Sequence, residues 1–451
     1  MRKKIFIIII LIKTSFLYTQ EIEDAPTDDL LIETEQKTDS VKNYRYRLFF
    51  VSFINYNHLK IEPEKENQGQ GMLSFFEERS AVCELNSELL YKIPGIFTFK
   101  GDIQGQYSTS FSKSTLLFEK GYQDYVRINE LFFEIFFYDN ISFLTGKYRR
   151  IYTPGIFQNP LDLHNPISSM PGQQAKRDGA YIAQLNVNYN LNYKYIESGE
   201  IILGFLPMFY QNKFGIFSEN KDYFFLEKTP NEKYQLSKRE KEWKTDEMGI
   251  FSRFYFDIIK GDLNLIYYYL NQQSQYGFSY AKYLLNFFEL HIETIFYKNP
   301  RYNFVTNNKN LYFDTLIGSR IEYDDFSGVT AEYIYNGEKP NKLPQSMPDR
   351  LKIFSSLLNE SRSNDFLTPL QDYLVFSAYM REIKDVYAVT FNVLYGIYHK
   401  EAFYSLRFDA KSGNTAVFSI TGGITTGGEN SFYGGIIPFD YKISSELLVS
   451  F

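Results

Sequence analysis

The chain has 451 residues, a formal net charge of −6 at pH 7 and an isoelectric point near 5.5. This acidic balance argues against nucleic acid as a partner, because phosphate binding needs a basic surface. Aromatic residues make up 18% of the sequence, although the mean hydropathy is only −0.32. Such an aromatic content is typical of side chains that face lipid or its interfaces, so a purely soluble domain is disfavoured.

Residues 1–20 predict a secretory signal peptide. Arg2, Lys3 and Lys4 precede a short apolar run that ends at Ile12. This run is far shorter than the roughly 20 residues that a spanning helix needs, and a buried core helix would not explain the basic start. We expect export and cleavage near Thr19 or Gln20, followed by a flexible acidic tail over residues 21–42.

Residues 43–451 consist of segments of about ten residues with alternating polarity, which predict β-strands. The clearest unit is a hairpin around Pro94 and Gly95, with polar residues on one face of each arm and apolar residues on the other. The hairpin alone fits either a soluble sandwich or a membrane barrel. Cys83 lies in its first arm and is interpreted as a small apolar strand residue.

The connections between the predicted strands distinguish these alternatives. Tight turns are predicted near residues 94–95, 139–140, 198–199, 260–261, 286, 324–325, 384–385 and 411–414. Mostly longer connections alternate with them, near residues 57–80, 108–124, 151–178, 211–246, 299–310, 338–369 and 424–439, with two shorter ones near 273–276 and 398–400. This asymmetry is typical of outer-membrane barrels, so we predict an all-β, transmembrane, antiparallel up-and-down barrel of about 18 strands, 16 being the alternative.

The last residues, "YKISSELLVSF", alternate with a period of two and end on an aromatic residue. Pairing of this strand with the first one, near "YRYRLFFVSFINY", would leave the sheet without an edge. The alternation from Tyr441 to the terminal Phe451 resembles the signal by which the barrel-assembly machinery recognises outer-membrane proteins. The resemblance implies that this machinery and outer-membrane lipids are partners.

If the apolar face of each strand points outward, the polar residues that alternate with it line the lumen. The candidates are Glu84, Lys100, Asp102, Lys147, Arg149, Glu289, His291, Glu293, Arg320, Glu322, Glu332, Arg407 and Asp409. A barrel of this size is too wide to be filled by its own side chains. These residues therefore form either a hydrated wall of paired charges or rings of charge that select solutes.

One long connection, residues 151–178, is rich in Pro, Gly and Asn with apolar residues between them. Long loops of this kind tend to be functional, and we interpret this one as a constriction that folds into the mouth, with a loop packed on the rim as the alternative. The constriction candidates are Tyr152, Pro154, Phe157, Asp162 and His164. The segments "GKYRRIYTPGIFQNPLDLHNP", "ELHIETIFYKN" and "GSRIEYDDFSGVTAEYIYNGE" resemble bacterial porin-like proteins.

Enzymatic chemistry has little support in the sequence. The four histidines belong to no recognisable metal motif, and no G-x-S-x-G elbow is present. Glu289, His291 and Glu293 share a strand face and could bind a cation or act in acid–base chemistry, but a lumen histidine between two carboxylates is the better interpretation. We predict no catalytic residue, no metal and no cofactor.

We therefore expect a porin-like channel for small polar solutes, while the homo-oligomeric state stays open. The alternative, from a different class, is a surface barrel that binds or exports polysaccharide through loop aromatics such as Tyr152, Phe157, Tyr223 and Phe224. Filling of the lumen by loop residues would favour binding, and an open path would favour transport.

Overall fold

The structure is a computed structural model of the chain. The described residues are 44–59, 79–111, 122–150, 155, 160, 161, 163, 179–193, 196–207, 222–228, 234–240, 248–258, 261–270, 273–285, 287–300, 311–324, 327–344, 349, 353, 368, 370–384, 386–413, 415–428, 431 and 439–450.

Alternating sequence produces strands because successive side chains of an extended chain point to opposite faces. The first ten strands are β1 (Tyr44–Leu59), β2 (Arg79–Ile93), β3 (Phe97–Phe111), β4 (Tyr122–Tyr138), β5 (Ile141–Tyr148), β6 (Ala180–Tyr193), β7 (Ile196–Leu206), β8 (Asp222–Lys228), β9 (Tyr234–Glu240) and β10 (Gly249–Ile258). The remaining ten are β11 (Gly261–Leu270), β12 (Gln273–Leu285), β13 (Phe288–Tyr297), β14 (Tyr312–Asp324), β15 (Ser327–Asn336), β16 (Asp372–Ile383), β17 (Tyr387–Gly396), β18 (Glu401–Ser412), β19 (Ala416–Thr426) and β20 (Phe439–Ser450).

Eighteen of these strands form one closed antiparallel sheet, in which each strand pairs with its sequence neighbours and β7 pairs directly with β10. The barrel closes through β1 and β20, where Phe50 pairs with Val449 and Val51 with Leu448. Closure satisfies the backbone groups that an open edge would leave unpaired. The predicted barrel, its strand number and the pairing of its last strand with its first are therefore confirmed.

The two ends of the barrel differ as the sequence predicts. At one end, called the turn end, neighbouring strands are joined by short turns such as residues 94–96 and 139–140. At the other, called the loop end, longer connections such as residues 149–179 and 337–371 join the strands. The first strand begins and the last strand finishes at the turn end, since Tyr44 pairs with Tyr91 and Ala416 with Val449.

Two predicted connections are misplaced. Residues 273–276, predicted as a short connection, lie inside β12, and the turn predicted near residues 198–199 is wrong. Ser198 and Gly199 lie inside β7, and the connection from β6 to β7 spans only residues 194–195. The glycine serves close packing rather than a turn: a Cβ on Gly199 would lie 2.2 Å from the hydroxyl oxygen of Tyr189 on the neighbouring strand. A strand glycine often marks such a close approach.

Two long connections contain local structure. Strands β8 and β9 form a separate two-stranded hairpin within the connection from β7 to β10. In the connection from β15 to β16, Asp349 and Ile353 have helical conformation. No helix among the described residues is long and apolar enough to span a membrane.

The outer face of the barrel is apolar. Exposed side chains along the middle of this face include Leu85, Leu203, Leu265, Ile317, Phe376, Leu406, Ile420 and Leu447. Exposed aromatic residues collect near both margins: Tyr91, Phe137, Tyr193, Tyr323 and Tyr387 at the turn end, and Phe205, Tyr269, Tyr276, Phe313, Tyr404 and Tyr441 at the loop end. An apolar band between two aromatic girdles is the surface that a bilayer requires.

Candidate functional site

The inner face of the barrel carries the polar half of each alternation. On β13, Glu289, His291 and Glu293 are buried, while Leu290 between them is exposed on the outside. On β18, Ser405 is buried between the outward Tyr404 and Leu406. The inner wall is therefore a candidate site for contact with solutes, and its described side chains include four polar clusters that contain ion pairs and one apolar cluster.

The first polar cluster joins β2, β3 and β4. The ammonium group of Lys100 lies 2.7 Å from Glu130 and 3.6 Å from Glu88. Arg149 approaches Glu130 from the start of the long connection, with 3.8 Å between the charged groups. Nearby, the amide of Asn129 donates to Asp102 at 3.3 Å. Two basic side chains thus converge on one buried carboxylate.

The second polar cluster crosses β7, β10, β11 and β12. Arg150 donates to both carboxylate oxygens of Glu200 at 2.9 Å, which is the strong bidentate arrangement. Arg253 donates to the same carboxylate at 2.6 Å and to Asn264 at 2.9 Å. The side-chain amide of Asn264 continues the chain to Ser279 at 3.0 Å. The arginines hold Glu200 in a fixed position on the wall.

The third polar cluster surrounds His291, whose Nδ1 lies 3.0 Å from Glu289 and whose Nε2 lies 3.3 Å from Glu332. Strand β14 runs between β13 and β15, so the second contact must pass over it. Gly318 makes this possible, because a Cβ there would lie 2.2 Å from His291 Nε2. Arg320 extends the cluster, with 3.7 Å to Glu289 and 3.8 Å to Glu322.

The fourth polar cluster lies on β18, β19 and β20. Arg407 donates to Asp409 at 2.7 Å, to Glu446 at 3.1 Å and to Ser419 at 2.8 Å. Each carboxylate is therefore tied to a guanidinium donor. These contacts hold the charged side chains in fixed positions on the part of the wall opposite the long connection.

The apolar cluster occupies the loop half of the inner wall. It consists of Phe132, Leu144, Leu161, Leu163, Ala180, Ile182, Ile202, Leu206, Phe251, Ile266, Tyr268, Leu270, Ile295, Tyr297 and Tyr312, and is called the inner apolar cluster. Leu161 and Leu163 come from the long connection and are almost wholly buried, whereas the other members belong to strands β4–β14. Described residues of the long connection therefore lie against the inside of the barrel wall.

Two hydrogen bonds attach the same connection to the wall. The backbone N–H of Gly155 donates to the buried carboxylate of Glu293 at 2.7 Å. The hydroxyl of Tyr268 donates to the carbonyl oxygen of Leu161 at 2.9 Å. On β12, Gly277 leaves room for the loop, because a Cβ there would lie 2.1 Å from the Leu161 side chain. Packing, hydrogen bonding and a glycine gap thus coincide at one place.

The connection leaves the wall part-way up the barrel because β5 is short. Its last pairs, Leu131 with Lys147 and Tyr148 with Ala180, lie opposite the middle of β4. Gly146 has a φ of +127°, which favours glycine, and a Cβ there would lie 2.2 Å from the carbonyl oxygen of Leu131. The chain therefore enters the barrel below its rim.

The predicted lumen residues fall mostly on the inner face. Glu84, Lys100, Asp102, Glu289, His291, Glu293, Arg320, Glu322, Glu332, Arg407 and Asp409 all lie on strand faces opposite the exposed apolar side chains. Arg149 follows β5 and contacts the inner Glu130. Tyr441 lies on the outer face.

Lys147 does not lie in the inner row, contrary to the prediction. It shares the face of Phe143 and Thr145, is buried, and donates to the carbonyl oxygen of Ile128 at 2.6 Å. The ammonium group satisfies a backbone acceptor next to a bulge in β4 at Asn129. Phe451 and the constriction candidates Tyr152, Pro154, Phe157, Asp162 and His164 lie outside the described residues.

Several inner residues are absent from the predicted set, including Glu130, Glu134, Arg150, Glu200 and Arg253. The wrong turn at residues 198–199 hid Glu200, which strand alternation with Ile202 would otherwise have identified. The sequence also contains a signal for the inner apolar cluster. Segments such as "EIILGFL" and "LNLIYYYL" are apolar at nearly every position, so both faces of those strands needed a cover.

In three of the ion pairs on the inner wall the basic side chain is more exposed than its carboxylate partner. Side-chain exposure is 21% for Lys100 against 3% for Glu130, 34% for Arg150 against 11% for Glu200, and 17% for Arg320 against 6% for Glu289. In the pairs Arg253–Glu200, Arg320–Glu322 and Arg407–Asp409 the carboxylate is the more exposed partner. The inner wall therefore presents charges of both signs to the interior space.

This closed barrel of 18 antiparallel strands, apolar outside and polar inside, has a porin-like fold. Among solved structures it is similar to OccAB1 of Acinetobacter baumannii, with 11% identity, 91% of this chain and 97% of that chain covered, and a TM-score of 0.55. OccAB4 of the same organism gives 10% identity, 91% and 98% coverage, and a TM-score of 0.52. No protein-family model matches the sequence, and no curated protein matches it. At these identities the likeness concerns the fold.

Proposed function

We propose that the chain forms an outer-membrane channel through which small polar solutes diffuse. The turn end would face the periplasm and the loop end the outside, as in outer-membrane barrels with short periplasmic turns and long extracellular loops. The supporting observation is the opposite character of the two faces of one closed sheet: apolar with aromatic margins outside, and polar with paired charges inside.

The polar inner clusters are better suited to the passage of polar solutes than to catalysis. Lys100, Arg320 and Arg407 each pair with at least two carboxylates, which fixes their positions while leaving part of each basic side chain exposed. A hydrated wall of this kind interacts with polar solutes without holding them tightly, which conduction requires. Diffusion through such a lumen needs no cofactor.

The connection 151–178 would narrow this channel. In support, Leu161 and Leu163 are buried in the inner apolar cluster, and Gly155 donates to Glu293 on the wall. A segment attached at several points keeps its place and reduces the open cross-section next to β10–β13. Apolar packing on one side of the lumen would leave the polar wall of β16–β20 and β1–β3 as the path for solutes.

Swelling of liposomes that contain the purified protein tests the proposed function. Liposomes in solutions of graded polar solutes, from glycerol to trisaccharides, should swell at rates that fall with solute size. Empty liposomes provide the baseline. If swelling is the same with and without the protein, passive diffusion is rejected, and binding of polysaccharide by the loops becomes the better account.

Assembly in the outer membrane has its own test. Phe451→Asp should lower the amount of heat-modifiable folded protein in outer-membrane fractions, since a charge would replace the terminal aromatic that the proposed assembly signal contains. Phe451→Tyr is the matched control and should assemble normally. Equal amounts of folded wild-type and Phe451→Asp protein would show that the terminal residue is not part of the assembly signal.

A further inference from the structure

The inner wall contains a recess that the channel proposal does not use. It lies on β4–β7 toward the turn end and has a volume of about 270 Å³. Residues that line it include Glu134, Ser142, Tyr148, Arg150, Asn188 and Glu200. Drug-sized ligands occupy pockets of roughly 300–1,000 Å³, so this recess suits a smaller molecule.

The polar side of the recess is fixed by a hydrogen-bonded row. Gln184 donates to Asn186 at 2.8 Å, and Asn186 donates to Ser142 at 3.1 Å. Ser142 in turn donates to Glu134 Oε1 at 2.6 Å. A preorganised wall lowers the cost of ordering side chains when a ligand binds.

This row leaves one oxygen of Glu134 available. Both hydrogen bonds to its carboxylate, from Ser142 and from Asn186, end on Oε1. Among the described residues none donates to Oε2 or pairs the carboxylate with a cation. An ionised carboxylate oxygen accepts hydrogen bonds more strongly than a neutral oxygen does, so it is well suited to bind hydroxyl donors.

The rest of the lining supplies further polar groups, and the accessible surface of the recess is almost wholly polar. Arg150 closes one side of the recess and has its charge balanced by the bidentate pair with Glu200. Asn188 provides both a donor and an acceptor type of group, and Tyr148 and Phe136 provide aromatic rings. Tyr148 is held in place by edge contact with Phe132, with 4.8 Å between the ring centroids.

We infer that this recess is a subsite for a small neutral polyhydroxylated solute, of monosaccharide size, on the wall of the channel. Alternating acceptors and donors match a ring of hydroxyl groups, each of which both donates and accepts. The inference rests on the proposed function, because the subsite would be filled from the lumen.

Binding and conduction are measured separately on the same full-length protein, in an amine-oxide detergent without sugar headgroups. Saturation-transfer NMR with D-glucose should give a dissociation constant in the millimolar range, since a transported solute must also leave. Glu134→Gln keeps the shape of the side chain but removes its charge, and should weaken binding by about tenfold. Asn188→Leu should weaken it as well.

The matched control is Glu197→Gln, the same change at an exposed residue of β7 that does not line the recess. It should bind D-glucose as the wild type does. All variants are first checked for heat-modifiable folding, and Asn188→Leu keeps the test decisive if Glu134→Gln does not fold.

Two results would overturn the inference. One is equal glucose binding by the wild type and by the folded recess variants. The other is a wild-type protein that conducts salt in a bilayer but binds no glucose, or binds the diamine putrescine in its place. Glucose binding by a protein that conducts nothing would instead support the subsite and contradict the proposed channel function.

Discussion

Two parts of the barrel wall differ in the character of their inner faces. On β6, β7, β10, β11 and β13 the inner row changes character along the strand, as on β13, where Glu289, His291 and Glu293 give way to Ile295 and Tyr297 toward the loop end. On β18–β20 the inner row stays largely polar, with Ser405, Arg407 and Asp409 on β18. The loop residues Leu161 and Leu163 pack against the first wall.

The difference shows what an inner apolar surface requires. Burying apolar side chains is favourable at about 25 cal/mol per Å², so the loop half of the first wall is stable only when another segment covers it. Leu161 and Leu163 supply that cover. A wall that meets water needs no cover, but its charges must pair with one another, as Arg407 and Glu446 do.

Deleting residues 156–172 should have the largest effect on the first wall. Removal of the packed segment would uncover the inner apolar cluster and widen the lumen. We expect a several-fold rise in single-channel conductance. If a folded deletion variant has unchanged conductance, the connection packs on the rim of the barrel and does not narrow the lumen.

Leu161→Asp should act in the same direction with a smaller effect. A carboxylate cannot be buried among Tyr268, Ile295 and Gly277 without a partner, at a cost of several kcal/mol, so the loop should leave the wall. Conductance should rise and become noisier. Leu161→Met, which conserves volume, is the control and should keep the wild-type conductance.

Lys100→Met should change the ion preference without changing the pore width. The substitution leaves Glu88 and Glu130 with one basic neighbour fewer, so the field in the lumen becomes more negative. The reversal potential in a salt gradient should shift toward cation preference, and less so at high salt because of screening. Lys100→Arg keeps the charge and should show no shift.

Gly318→Ala should produce the smallest of these effects, a loss of stability rather than of transport. The new Cβ would collide with His291 and separate it from Glu332, which should lower the free energy of unfolding by about 1–3 kcal/mol. Urea unfolding of the folded barrel measures the change. Gly422→Ala on β19 meets nothing within 4 Å and is the matched control.

Strand alternation was enough to predict the barrel. The period of two assigns a face to each residue once the outer face is known, and Glu84, Arg320 and Arg407 lie opposite the exposed apolar side chains of their strands. It failed where alternation breaks. Gly146 adopts a positive φ near the end of β5, and Lys147 beside it satisfies a backbone carbonyl of the wall.

Contacts between distant segments could not be read from the sequence. The hydrogen bond from Gly155 to Glu293 joins residues 138 positions apart, and no local pattern indicates it. The Arg150–Glu200 pair depends likewise on how far up the wall β5 ends. Such contacts follow from the register of the whole sheet, which alternation alone leaves open.

Single-channel recording of the refolded full-length protein in a planar bilayer tests the central claim most directly. The account predicts discrete conductance steps, and the reversal potential in a salt gradient reports which sign of lumen charge dominates. A folded, inserted barrel that gives no steps at any voltage or salt concentration would contradict it.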